Sequence, residues 1–228
     1  MIKTVLLDLD DTIFDFKKAQ KLALTRTLAM FGLEATQEVI SRYDQINQYV
    51  WRMLEEGKMS REEILVKRYE MLLQEYHIQA DHVKIQETYE RELGVGHYYL
   101  NGAKEFLKAL RKEYKLYLVS NGTAVVQDSR IASSDLADYF EEIFISERVG
   151  ANKPSIKFFE HVFARIPNFE KNETVIIGDS LTSDMKGGLN AGIHTIWFNP
   201  HGHALSGDIV PEYEAACYDK VEEILHQI

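Results

Sequence analysis

The chain alternates between short, continuous apolar runs and longer stretches whose apolar residues recur at helical spacing. Five runs, Thr4–Leu7, Leu116–Val119, Ile143–Ile145, Thr174–Ile177 and Thr195–Phe198, are β-branched or aromatic and lack polar alternation. That is the pattern of strands covered on both faces, as in a parallel sheet. Between them, Ala103, Phe106, Leu107 and Leu110 lie on one helical face, and Phe158, Phe159, Val162 and Phe163 make a second apolar stripe. Strands alternating with helices predict βαβ units, and hence an α/β fold with a doubly wound, mainly parallel Rossmann-like sheet. In such a sheet ligands bind beyond the carboxyl ends of the strands.

One stretch departs from the alternation. From Asp15 to Gly96 only helical patterning occurs. Leu22, Ala23, Leu28 and Phe31 predict one helix, and Ile40, Tyr43, Ile46 and Val50 another. Ile64, Leu65, Tyr69, Leu72, Leu73 and Tyr76 trace a third, opened by Ser60 with Glu63 three residues on, the spacing of a capping box. The expected organisation is an α/β core formed by residues 1–14 and 97–228. A helical cap, residues 15–96, is inserted after the first strand.

Composition narrows the partners. The 228 residues carry 26 Lys and Arg against 36 Asp and Glu, a formal charge of −10. An acidic surface repels polyanions, so neither a nucleic acid polymer nor an anionic membrane is expected as partner. A small phosphorylated metabolite is compatible, because a metal and a few local cations outweigh the global field. The single cysteine, Cys217, forms no intrachain disulfide, as in a reducing compartment. No apolar run reaches the about 20 residues of a membrane span. The first run is cut at Asp8, too early for a signal-peptide core. The expectation is a cytoplasmic protein whose subunit number the sequence leaves open.

The chemistry lies at the strand ends. The first strand runs into Leu7-Asp8-Leu9-Asp10-Asp11-Thr12, and the fourth into Gly178-Asp179-Ser180-Leu181-Thr182-Ser183-Asp184. The second ends in Ser120-Asn121-Gly122. Clustered carboxylates at the end of an apolar strand repel one another unless a cation sits among them. If the three tips converge, the set suits a hard, oxygen-preferring cation such as Mg²⁺. His201 and His203 stand apart from the acids and are expected to bind no metal, and no dinucleotide or Walker-type glycine motif is present.

These residues resemble the haloacid-dehalogenase-like hydrolases. Asp8-Leu9-Asp10-Asp11-Thr12 matches the family's Asp-x-Asp-x-Thr motif, Ser120 its second, Lys153 its third, and Gly178-Asp179 with Asp184 its acidic fourth. The resemblance implies a Mg²⁺-dependent phosphatase in which Asp8 is the nucleophile and Asp10 the acid and base. It implies Asp8, the Asp10 carbonyl, Asp179 and Asp184 as the metal site, and Ser120, Asn121 and Lys153 as the phosphate-holding groups. An acid at position 10 suits an alkoxide leaving group, which needs a proton, over a halide, which does not. Phosphomutases keep both acids. Residues Trp51–Ser60 and Ser146–Gly150 are similar to the pyrimidine 5′-nucleotidase-like subfamily, which implies nucleoside 5′-monophosphates as substrates. Sugar-phosphate or phosphoglycolate phosphatases, a phosphomutase and a noncatalytic phosphate-binding module are the alternatives. Phe14 and Phe16 beside the cap junction, and Lys58 between two predicted helices, are candidate specificity residues.

Overall fold

In a computed structural model, which describes residues 1–205 and 207–228, each of the five apolar runs lies in a strand of one sheet. The strands are β1 (Thr4–Leu7), β2 (Lys115–Ser120), β3 (Glu142–Ile145), β4 (Thr174–Gly178), β5 (His194–Phe198) and β6 (Tyr213–Ala215). Their order is β3-β2-β1-β4-β5-β6, with every neighbouring pair parallel. The order reverses at β1 and β4, so the crevice beyond their carboxyl ends is the natural ligand position. β6 is the strand the sequence pattern did not reveal. Only three residues long, it joins an edge, and its central Glu214 is exposed.

Ten α-helices occur among the described residues: α1 (Phe16–Met30), α2 (Gln37–Glu55), α3 (Arg61–Glu75), α4 (His82–Gly94), α5 (Ala103–Leu110), α6 (Ala124–Ala132), α7 (Ser146–Val149), α8 (Ile156–Phe163), α9 (Lys186–Ala191) and α10 (Tyr218–Leu225). None is long and apolar enough to cross a membrane. Side chains alternate across the sheet. Val5 and Leu7 therefore pack toward α5 and α10, while Leu6 and Ile176 pack toward α8 and α9.

The four helices α1 to α4 share an apolar core of their own around Leu24, Tyr43, Ile64, Tyr69 and Tyr89. The expected capping box opens α3: Glu63 N donates to Ser60 Oγ at 3.2 Å and Ser60 N to Glu63 Oε2 at 2.7 Å, worth about 1 kcal/mol. α4 adds a helix that the sequence pattern left unread, burying Ile85, Tyr89 and Leu93 at a spacing of four. The chain enters and leaves this bundle through adjacent passages. Asp15 N donates to Tyr98 O at 2.7 Å, Leu100 N to Ile13 O at 2.9 Å, and Phe14 pairs antiparallel with Tyr99.

Candidate active site

β1 delivers Asp8 to the crevice, where the Asp8 amide donates to Ile177 O at 3.0 Å and the side chain is almost fully buried. A buried carboxylate needs a partner, and Lys153 supplies it. The Lys153 ammonium, 1% exposed, donates to Asp8 Oδ1 at 2.6 Å, to Asp184 Oδ1 at 2.6 Å and to Val119 O at 2.8 Å. All three of its hydrogens are thereby used. The Asn121 side chain fixes the backbone of Lys153, accepting from its N at 2.9 Å and donating to its O at 2.9 Å. Ser120 Oγ accepts from Gly122 N at 3.1 Å and Gln127 Nε2 at 3.0 Å. Its own hydroxyl hydrogen is left free to donate to a ligand.

The tip of β4 carries the remaining acids. After Gly178 the chain makes a π-helical turn, Leu181–Met185, opened by Ser180, whose Oγ accepts from Ser183 N at 3.2 Å. That turn carries Asp184 back beneath Gly178, where an added Cβ would collide with the Asp184 carboxylate; glycine is required by this close approach. Ser180 N holds Asp184 Oδ2 at 3.2 Å, and Trp197 Nε1 donates to Asp179 O at 2.7 Å. Asp8, Asp179 and Asp184 can each present an oxygen within 4.8 Å of the others. Burial pushes the Asp8 carboxyl up to about 7, Lys153 partly offsetting this and Asp184 and Asp10 adding to it. Burial, then Asp8 and Asp184, raise Asp179 well above the usual carboxylate range. Burial alone would lower the Lys153 ammonium, but Asp184 and Asp8 outweigh it and hold the charge.

The Asp10 carboxylate stands apart from this cluster. Its Oδ1 accepts from Arg130 Nη1 at 2.5 Å and its Oδ2 from Gln127 Nε2 at 2.7 Å. The same Gln127 nitrogen reaches Ser120, so Asp10 lies beside the hydroxyl even though it faces α6. Arg130 is fully buried, with Nε on Gly96 O at 2.7 Å and its plane 5.0 Å from the centre of the Phe14 ring. Neither Gln127 nor Arg130 was singled out from the sequence. The available signal was a pair of polar residues on the buried face of α6, beside Val126 and Ile131.

A cavity of about 230 Å³ opens above these groups, floored by the strand tips and walled by α1 to α4 and α6. Phe16 is among the residues that line it. Phe14 is not: it is sealed in the core with its ring edge-on to Tyr99 at 4.8 Å. Lys58 is also outside the cavity, exposed and paired with Glu56 at 2.5 Å. The helices instead contribute Asn47, Trp51, Glu55 and Arg68. Arg61, at the start of α3, clasps the strand-tip loops. It donates to Asn121 O at 2.9 Å, Ser146 Oγ at 2.7 Å and Asn152 Oδ1 at 2.5 Å, and lies 5.6 Å over Trp51. His201 and His203 are exposed.

A family model described as haloacid dehalogenase-like hydrolase matches residues 5–198. The pyrimidine 5′-nucleotidase PynA of Streptococcus pneumoniae is 36% identical, over 98% of this chain and 94% of its own. The pyrimidine 5′-nucleotidase YjjG of Escherichia coli is 27% identical, over 97% and 96%. A crystal structure of the HAD-hydrolase YfnB from Bacillus subtilis, bound to magnesium and described as revealing interdomain movement, superposes with a TM-score of 0.94. It is 40% identical over 98% of each chain.

Proposed function

Because the chain belongs to the haloacid dehalogenase-like hydrolase family, we propose that it hydrolyses small phosphomonoesters, nucleoside 5′-monophosphates among them, with the phosphoryl group carried transiently on Asp8. The observation that carries this assignment is the Asp8 carboxylate itself. It is buried at a strand tip, fixed by one ammonium beside two further carboxylates, and faces the cavity.

The donors suit a divalent cation. Three carboxylates against one ammonium leave two negative charges uncompensated, and every donor is a hard oxygen. Asp8, the Asp10 carbonyl and Asp179 would hold Mg²⁺, with Asp184 adjoining directly or through water. When bound, the ion would neutralise charge on the phosphoryl oxygens. Ser120 donates its free hydroxyl hydrogen to those oxygens, the Asn121 backbone cradles them, and Lys153 faces them with its fixed charge. An Asp8 oxygen attacks phosphorus as the bond to the ester oxygen breaks; Asp10, entering the step protonated and turned from Arg130 and Gln127 toward the ester, gives that oxygen its proton. Asp10 then takes a proton from water as the water oxygen attacks phosphorus, which frees Asp8 and releases inorganic phosphate. Positioning and charge neutralisation are most of what phosphoryl transfer requires.

The cavity wall supports a nucleotide over a sugar phosphate. Phe16, Trp51, Leu65 and Leu93 line it, offering apolar and aromatic surface that a base can cover with its ring faces and a bare sugar phosphate cannot. The names of PynA and YjjG point the same way. The test is phosphate release from uridine 5′-monophosphate (UMP), ribose 5-phosphate, phosphoglycolate and an aryl phosphate, with and without Mg²⁺. UMP turnover that chelation abolishes is the expected result. Turnover of phosphoglycolate or ribose 5-phosphate alone would reassign the substrate, and no release from any ester would point to a noncatalytic binding module.

A further inference from the structure

The cavity's helical wall holds a charged network that none of the phosphoryl chemistry uses. Arg68, on α3, is almost completely buried. Its guanidinium lies 5.0 to 5.9 Å from the ring centres of Tyr43, Tyr69 and Tyr89. Among the described residues no carboxylate forms an ion pair with it. Its hydrogen bonds go to neutral oxygens: Leu65 O at 3.3 Å, Asn47 Oδ1 at 2.9 Å and Gln86 Oε1 at 2.8 Å. Asn47 Oδ1 accepts a second bond, from Trp51 Nε1 at 3.2 Å.

Both partners of that oxygen are obligate donors, since neither a guanidinium nor an indole N–H can accept. The amide therefore has one permitted orientation, with the oxygen toward Arg68 and Trp51 and the NH₂ left over. Asn47 is itself buried and lines the cavity, and its Nδ2 donates to no acceptor among the described residues. The rest of the side chain is held in place by Arg68 and Trp51, so this donor faces the cavity in a fixed direction, where a ligand oxygen can take the place of water. The ligand portion beside it must also tolerate Phe16, Trp51 and Leu65. A flat ring meets both conditions, with its faces against apolar and aromatic side chains and one carbonyl oxygen on its edge. The negative end of that carbonyl dipole would point toward the Arg68 charge.

Deepening the nucleotide assignment, on which it rests, we propose that Asn47, oriented by Arg68 and Trp51, is a specificity-determining residue. Its amide N–H donates to a ring carbonyl oxygen of the leaving group's base, so oxo-bearing bases are preferred to adenine, which has none. The phosphoryl-binding groups belong to the strand tips and Asn47 to α2, so substrates that lack a base do not use this contact.

The experiment compares kcat/KM for UMP and for ribose 5-phosphate in wild type and in Asn47→Asp. This near-isosteric change keeps the acceptor for Arg68 and Trp51 and removes the donor. The UMP to ribose 5-phosphate ratio is expected to fall fivefold or more, mainly through KM for UMP, and UMP to lose its advantage over adenosine 5′-monophosphate. A smaller change in the ratio, including equal losses on both substrates, overturns the assignment. If thermal melting shows N47D to be unfolded, N47A carries the same expectation and the same refutation. A wild-type enzyme that cleaves ribose 5-phosphate but no nucleotide refutes the nucleotide assignment itself, whereas the ratio, measured on a wild type active on UMP, refutes the Asn47 role alone.

Discussion

At the scale of single residues, the site is organised by how each buried charge is satisfied. Lys153 spends all three hydrogens on Asp8, Asp184 and Val119, and breaking such a buried pair typically costs about 3–5 kcal/mol. Asp8 has a consequence for pH. Its carboxyl, pushed up to about 7 by burial from an ordinary 3.8, keeps its proton in the metal-free folded state where the unfolded chain has lost it. The stability contributed by that proton is complete below about pH 4 and is lost as pH rises through about 7. A cation binding among these acids must displace that proton and the one on Asp179, so Mg²⁺ is expected to bind more weakly at pH 6 than at pH 8. The Mg²⁺-induced rise in Tm is therefore expected to be larger at pH 8 than at pH 6. Thermal melts at fixed Mg²⁺ check this, and a rise that is equal or larger at pH 6 contradicts it. The acids themselves were legible in the sequence because they end apolar strands. Arg61, Arg68 and Arg130 were not, because an arginine between helical apolar residues reads as solvated surface. Their signal was positional: Arg61 and Arg68 share the buried face of α3 with Ile64 and Leu72.

At the scale of elements, the strand tips hold the clustered acids and Lys153, and the helices α1 to α4 hold the wall above them. Arg61 joins the two, since its guanidinium binds the loops after β2 and β3 while it belongs to α3. Those loops carry Asn121 and lead into Lys153, which in the proposed mechanism would serve every phosphate ester alike. Arg61→Ala is therefore expected to lower kcat/KM about tenfold to hundredfold on UMP and on an aryl phosphate in parallel, with a loss of about 1.4 to 2.8 kcal/mol in transition-state stabilisation. Steady-state kinetics on both substrates check this. Wild-type rates on both would show the clasp to be dispensable. The continuous apolar runs and the capping box of α3 were readable because burial on both faces and cap chemistry are local. β6 and α4 were not, for opposite reasons. Tyr213–Ala215 is a short edge strand with an exposed Glu214, stabilised by pairing with β5. α4 spaces its apolar residues so sparsely, at Ile85, Tyr89 and Leu93, that only packing against α1 and α6 distinguishes its buried side.

At the scale of the whole molecule, a chain of net charge −10 buries Arg61, Arg68, Arg130 and Lys153, each less than a tenth exposed, and the last three line the cavity. Acids outnumber these cations along the cavity, with Asp8, Asp10, Asp179 and Asp184 at its floor, so an anionic ester would need a metal ion as well as the fixed cations to be held there. The doubly wound order, legible from the alternation of runs and stripes, explains why residues as distant in sequence as Asp8 and Asp184 converge: parallel strands bring their carboxyl ends to one edge. What the sequence could not supply was the orientation of side chains at that edge. Asp10 was expected among the other carboxylates and instead faces Arg130 and Gln127. The central claim, that Asp8 carries the phosphoryl group, is tested most directly by inorganic phosphate release from UMP by a purified Asp8→Asn protein whose melting curve shows it folded. The prediction is a kcat lower than wild type by about a thousandfold or more, because an amide cannot serve as the attacking oxygen. A folded D8N protein that releases phosphate within tenfold of the wild-type rate would contradict it.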